Sequence, residues 1–236
     1  MKLINMTSIT GRIKLESGLH IGAGDTELRI GGTDNSVIKH PHTGEPYIPG
    51  SSLKGKVRAL LEMRSGLLAK AGNGKPLSTS ILQKNLSPTE QKEAMAILQL
   101  FGVSGADDQE TQKIGPSRAA FADSSLNDSS RKAVEDGHWS FFEVKSENSI
   151  DRITGVAAGS GPRFTERVVA GLAFDFSITI KKMEGDEELQ TLLLQGLKLL
   201  EHDALGGSGS RGYGRVHFEF DDTALQDSFD KLQLFS

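Results

Sequence analysis

The sequence predicts an α+β fold, on three observations. A strand followed by an amphipathic helix opens the chain, alternating strands fill its middle, and a strand, a helix and a strand close it. That order fits a ferredoxin-like core interrupted by insertions. With 236 residues, 36% of them hydrophobic, the chain is long enough to bury one sizeable core. No apolar run approaches the roughly 18 residues of a membrane span, so no membrane partner is expected. Cysteine is absent, which excludes disulfides and thiolate metal sites, and nothing at Met1 to Asn5 reads as a secretory signal, so the expected location is cytoplasmic.

Residues 5–19 alternate, with Ile9, Gly11, Ile13 and Leu15 against Thr10, Arg12, Lys14 and Glu16, and read as a half-buried strand. The glycine-rich turn at 18–24 holds His20, an ordinary turn residue that also has the chemistry to donate to a phosphate or meet a base. A tight loop follows, in which Gly31 and Gly32 precede Asp34 and Asn35. Pro49 and Gly50 then break the chain, Ser51 or Ser52 is expected to cap a helix, and Leu53, Val57, Leu60 and Leu61 form its buried stripe. Lys54 and Arg58, four apart, share another face. The start of this helix offers unpaired N–H groups and the positive end of the dipole to a phosphate, with Lys54 beside them. Residues 50–56 also satisfy G-x-x-x-x-G-K, but Val57 stands where a nucleotide-binding loop needs a hydroxyl for Mg²⁺, which argues against nucleotide hydrolysis.

Residues 70–114 are poor in apolar side chains apart from a short helix opened by a capping box, Ser87 with Glu90, and read as an insertion carried on the core. Residues 117–123 and 139–145 read as strands, 149–168 as a long hairpin with its tip at 158–162, and 172–180 as a strand. Arg152, Arg163 and Arg167 in the hairpin are nearly balanced by Asp151 and Glu166, while Ile153, Val156 and Phe164 are apolar residues of the kind that wedge between bases. Residues 186–205 read as a helix with Leu189, Leu192, Leu193, Leu197 and Leu200 on one side.

Five glycines then fall within the nine residues 206–214, accompanied by Arg211 and Arg215. Such a segment reads as a phosphate cradle formed by Gly207, Gly209, Ser210, Arg211 and Gly212, because glycine lets backbone amides approach an anion and arginine supplies forked donors. A bare G-x-G-x-x-G match is present, but a helix precedes it and a strand follows it, the reverse of the dinucleotide arrangement. A plain helix cap remains open as a reading, although a cap needs only one glycine. The net charge of −4 counts against a simple basic nucleic-acid binder. Its distribution matters more: cations gather at 39–64 and 205–218 and acids at 184–188 and 219–230, which allows an anion-binding face on an acidic protein.

Three stretches, Tyr47-Ile-Pro-Gly-Ser-Ser-Leu-Lys-Gly55, Glu143-Val-Lys-Ser-Glu-Asn-Ser-Ile-Asp-Arg152 and Leu205-Gly-Gly-Ser-Gly-Ser-Arg-Gly-Tyr-Gly214, taken in that order, resemble the repeating backbone subunit of type III-A CRISPR interference complexes, in the RAMP superfamily. The resemblance runs from Ile9 to Phe218 and leaves out the insertion and the last residues. It implies an RNA-recognition-motif core (1–69, 115–145 and 170–220), a lid-like insertion at 70–114, a thumb hairpin at 146–169 and a variable tail at 221–236. It also implies further copies of the chain, and other subunits of the complex, assembled along a guide RNA. The glycine loop, Ser51, Ser52 and Lys54, with His20 and Arg58, would hold the guide. Ile153, Val156, Arg163 and Phe164 would enter the duplex of guide and complementary target RNA.

The resemblance further implies cleavage of the target RNA at regular intervals, dependent on a divalent metal ion, Mg²⁺ or Mn²⁺, with Asp34 at the position of the cleaving aspartate. RNA carries its own nucleophile, the 2′-OH, so the protein need only orient the strand, assist proton loss and stabilise charge. An exposed aspartate is a poor base at neutral pH, and holding the metal suits it better. One carboxylate is an incomplete site, so RNA phosphates or another subunit must finish the shell. Two alternatives stay open: a non-catalytic subunit that packages guide RNA, and a stand-alone CRISPR RNA-processing endoribonuclease relying on histidine, for which His20 is the candidate. His40 and His42, without further ligands, do not make a zinc site.

Overall fold

The structure, a computed structural model, describes residues 2–24, 35–72, 74–103, 109–157 and 161–235, with backbone alone at 109–110. Its central strand is β1 (Leu3–Leu15), whose alternation buries Ile9, Ile13 and Leu15 on one face and exposes Thr10, Arg12 and Lys14 on the other. The remaining strands of this sheet are β2 (Tyr47–Ile48), β3 (Ala119–Phe121), β4 (Ser124–Leu126), β7 (Ala173–Met183) and β8 (Val216–Phe220). They lie in the order β2-β4-β7-β1-β8, with β3 also on β7, and every pairing is antiparallel. Gly11 lets β8 close on β1, since a Cβ there would sit 2.2 Å from the Glu219 carbonyl oxygen.

Two helices, α1 (Gly50–Arg64) and α6 (Gln190–Glu201), share one apolar core with the inward face of the sheet. They meet at Gly196, where a Cβ would lie 2.6 Å from Val57 Cγ1 and 2.9 Å from Leu61 Cδ1. Between α1 and β3 come α2 (Leu67–Ala71), a 3-10 turn (Thr79–Gln83), α3 (Pro88–Phe101) and α4 (Gln109–Ile114). The expected capping box of Ser87 and Glu90 opens α3, which sends Ala94, Ile97, Leu98 and Phe101 into the common core. Helix α5 (Asp128–Glu135) is capped by Asn127, and β5 (Phe142–Glu147) and β6 (Arg163–Val168) form a separate two-stranded sheet. Among the described residues no helix is long and apolar enough to cross a membrane.

Three expectations are corrected. Neither Ser51 nor Ser52 caps α1: the N-cap is Pro49, with no side-chain bond of its own. The carboxylate that serves this end is Asp123, whose Oδ1 accepts the Gly50 N–H at 2.7 Å. The helix expected over 186–205 is shorter because Asp186 is drawn into a buried pair with Arg118, which donates to it from Nε and Nη2 at 2.8 Å each. The strand expected at 139–145 is an arm of the hairpin, β5, paired with β6 from Phe142 opposite Val168 to Glu147 opposite Arg163. The tail residues carry a further helix, α7 (Thr223–Asp230), capped by Asp222, whose buried Phe229 packs on Phe218 and Phe220 with ring centroids 6.3 and 4.8 Å away.

Candidate nucleic-acid interface

Antiparallel pairing delivers the ends of β1 and α6 to the same place, so the two glycine-rich segments meet. The Gly207 N–H donates to the His20 carbonyl (2.8 Å) and the Gly214 N–H to that of Gly18 (2.9 Å), while Leu205 N–H closes the loop on Gly214 (2.8 Å). Gly206 and Gly214 have φ of 74° and 71°, and a Cβ would lie 2.3 Å from the His20 oxygen in one case and 1.9 Å from the Leu205 oxygen in the other. Both positions therefore demand glycine twice over, for handedness and for space. At the crest a 3-10 turn (Gly209–Arg211) is tied by the amides of Arg211 and Gly212, and Gly206, Gly207, Ser210, Arg211 and Gly212 are exposed. An exposed glycine-rich crest with a cation on it offers main-chain donors to an anion.

Strand β6 forms the third wall. Leu19 and Val168 exchange backbone bonds of 2.9 and 2.7 Å, and His20 Nδ1 lies 2.7 Å from the Glu166 carbonyl. The Glu166 carboxylate accepts from the Val37 N–H and from Lys39 Nζ, both at 2.9 Å, and its own N–H donates to Asn35 at 3.1 Å. One residue thus fixes His20 and the chain from Asn35 to Lys39. Asp34 itself lies outside the described residues.

Tyr213, buried under the crest, ties the hairpin to the loop. Lys145 Nζ sits 4.5 Å from its ring centroid and the Arg167 guanidinium carbon 5.0 Å. Arg211 Nε pairs with Glu147 at 3.2 Å, Lys145 donates to the Arg211 carbonyl at 3.3 Å, and the Arg211 guanidinium also meets the Ser208 hydroxyl. Burial pushes the Tyr213 phenol above its usual range, and the charge on Glu147 adds to it.

A second group runs along α1. Ser51 is exposed, Ser52 half-buried, and Lys54 donates to Ser117 Oγ at 3.3 Å from the wall of a cleft of about 590 Å³ shared with Arg58, Glu62 and Gly102. Burial, then the neighbouring Arg58 and Lys181, hold the Lys54 ammonium below the usual lysine range, so a bound anion would relieve it. Arg58 turns inward, donating to Glu62 Oε1 (2.6 Å), the Gly102 carbonyl (3.0 Å) and the Leu77 carbonyl (2.6 Å). Lys56 pairs with Asp203 at 2.7 Å and so joins α1 to the turn before the glycine loop. The four hairpin residues stand apart from both groups. Arg163 and Phe164 begin β6 at the end away from Val168, and Ile153 and Val156 lie beyond the paired strands, Ile153 at 96% exposure.

Among the described residues no cluster of three His, Asp or Glu side chains could hold a metal ion. Asp123, Glu147, Glu166 and Tyr213 carry no sequence signal beyond their residue type, apart from the place of Tyr213 inside the glycine segment.

The RAMP superfamily profile matches residues 12–217. Two relatives, each described as "CRISPR system Cms endoribonuclease Csm3", are 41% identical: that of Methanocaldococcus jannaschii over 89% of this chain and 77% of its own, and that of Streptococcus thermophilus over 89% and 86%. A crystal structure of a Csm3–Csm4 subcomplex in the type III-A CRISPR-Cas interference complex matches with a TM-score of 0.54 at 27% identity, covering 99% of both chains. The Methanopyrus kandleri Csm3 crystal structure shares the fold, with a TM-score of 0.58 at 24% identity over 91% of this chain and 75% of that one. The chain belongs to the RAMP superfamily and, within it, to the Csm3 family.

Proposed function

We propose that this chain is a repeating backbone subunit of a type III-A CRISPR ribonucleoprotein, an endoribonuclease that holds guide RNA and cleaves complementary target RNA at regular intervals. The observation that carries the reading is the junction of the two glycine-rich segments with β6, where exposed main chain, His20 and Arg211 share one crest. The relatives' description as endoribonucleases supports the activity, and the pairing of a related chain with Csm4 supports assembly with other subunits. Polymerisation with further copies and a cytoplasmic location belong to the same reading. The succession β1-α1-β4-β7-α6-β8 with strand order β8-β1-β7-β4 supports a ferredoxin-like, RNA-recognition-motif core. On that core, 70–114 serves as lid, the hairpin of β5 and β6, expected at 146–169 and begun already at Phe142, as thumb, and 221–236 as a variable tail. The exposure of Ile153 supports entry of the thumb into the guide–target duplex.

Guide phosphates rest on Gly207, Gly209, Ser210, Arg211 and Gly212, and on Ser51, Ser52 and Lys54. Arg58 supports that cleft from behind. Asp34 is assigned to cleavage, with Mg²⁺ or Mn²⁺ supplying charge. The described residues do not by themselves form a metal site, so the remaining ligands would come from RNA or a neighbouring subunit. What the chain contributes is orientation, bringing the target 2′-OH in line with the adjacent phosphorus. In the reconstituted complex, Asp34→Ala is expected to bind target RNA with unchanged affinity and to lose cleavage by at least about 100-fold, the scale of a lost catalytic group. Chelation with EDTA should abolish cutting by the unaltered complex. Cleavage that survives Asp34→Ala would favour the packaging reading, and cutting of precursor repeat RNA by the isolated chain would favour the processing enzyme.

A further inference from the structure

His20 is held so that only one edge of its ring is left for a ligand. The Glu166 carbonyl can only accept, so the 2.7 Å contact places a proton on Nδ1. In the neutral imidazole Nε2 then has a bare lone pair and acts as an acceptor. The main chain that carries the ring is fixed on both sides, since the His20 carbonyl accepts the Gly207 N–H and Leu19, one residue before, is laddered to Val168, and the Nδ1 contact holds the ring itself.

The glycines around this edge separate into two kinds. Gly206 and Gly214 are required by positive φ and by crowding. Gly22 and Gly207 are required by neither. Neither has positive φ, a Cβ on Gly22 would lie 3.6 Å from His20 Nε2, and one on Gly207 would lie 3.5 Å from His20 Cδ2, both ordinary contact distances. What their missing side chains provide is access to the Nε2–Cδ2 edge.

We infer that His20 Nε2 accepts a hydrogen bond from a ribose 2′-hydroxyl of the guide strand, making His20 the residue by which the cradle distinguishes RNA from DNA. Phosphate oxygens are acceptors and cannot pair with a bare Nε2, whereas the 2′-hydroxyl is the backbone donor that RNA has and DNA lacks. The inference rests on the guide-binding reading above. It adds a division of labour: the main chain and Arg211 grip phosphate, and His20 reads the sugar.

The test is fluorescence anisotropy with the full-length chain at about pH 8, where imidazoles are mostly neutral. The probes are a labelled single-stranded RNA, the DNA of the same sequence, and RNAs with one 2′-deoxy nucleotide moved stepwise along the strand. The unaltered chain should prefer RNA about five- to tenfold, the scale of one hydrogen bond, and one deoxy position should reproduce that loss. His20→Asn keeps an N–H for the Glu166 carbonyl but places no acceptor at the position of Nε2, its amide oxygen ending nearer the main chain where Cδ2 was, so it should lower RNA affinity by the same factor and leave DNA affinity unchanged. Equal losses for RNA and DNA in His20→Asn, or no preference in the unaltered chain, would overturn the sugar-reading role while leaving guide binding intact. If the unaltered chain binds neither probe, the guide-binding reading falls and this inference with it.

Discussion

Arg118 is 2% exposed, and each of its three side-chain nitrogens has an acceptor: Asp186 takes Nε and Nη2, and the Ile114 and Pro116 carbonyls take Nη1 at 2.7 and 2.6 Å. Removing one partner leaves the other charge uncompensated, so Asp186→Ala is expected to cost about 3–5 kcal/mol in urea unfolding. The pair with Arg118 also holds the Asp186 carboxyl below the usual carboxylate range. With the folded value depressed, the stabilisation is fully present above the unfolded value of about 4 and is lost as pH falls through the folded one. The stability gap between the unaltered chain and Asp186→Ala should therefore narrow below about pH 4, and a gap that is constant with pH would refute this. Little of this was legible beforehand. Arg118 and Asp186 are 68 positions apart in the sequence, and Arg58, chosen for sharing a face with Lys54, turns inward because Glu62 and two carbonyls wait there.

At the scale of elements, an unusual backbone at 206–214 was legible, since five glycines fall within nine residues. The separate duties of those glycines were not, because they depend on Gly18 and His20, which β1 brings in from the far end of the chain. Gly214→Ala should collapse the loop and abolish RNA binding, as its Cβ would fall inside the Leu205 carbonyl. Gly212, with φ of 83° but nothing within 4 Å of its would-be Cβ, should tolerate alanine at roughly 1–2 kcal/mol, the cost of left-handed backbone. Thermal unfolding and anisotropy of the two variants side by side decide it; equal damage from both would mean the crowding at Gly214 is irrelevant. The start of α1 carried a similar ambiguity. Serines in the first turn look like caps, and only the fold shows that Asp123 has taken the task.

For the whole molecule, the sequence yielded the order of strands and helices but not which strands pair. Alternation marks a strand without naming its neighbour, and so 139–145 was assigned to the core when it belongs to the hairpin. The seam between hairpin and core is Tyr213, with Lys145 and Arg167 over its ring and its hydroxyl without a hydrogen-bond partner among the described residues. Tyr213→Phe keeps the aromatic face and should leave the seam closed. Tyr213→Leu, which removes the aromatic face, should speed amide exchange in β5 and β6 while β1 and β7 stay protected. Equal amide exchange in β5 and β6 for the Phe and Leu variants would show that the ring is not what holds the seam.

The hairpin is gripped at its root, by Val168, Arg167 and Lys145, and reaches solvent at Ile153. It is a lever whose fulcrum is Glu166, the residue that also steadies His20 and the segment emerging from Asp34. A push at the distal end is thus delivered, with mechanical advantage, to His20 and to the segment that begins at Asn35.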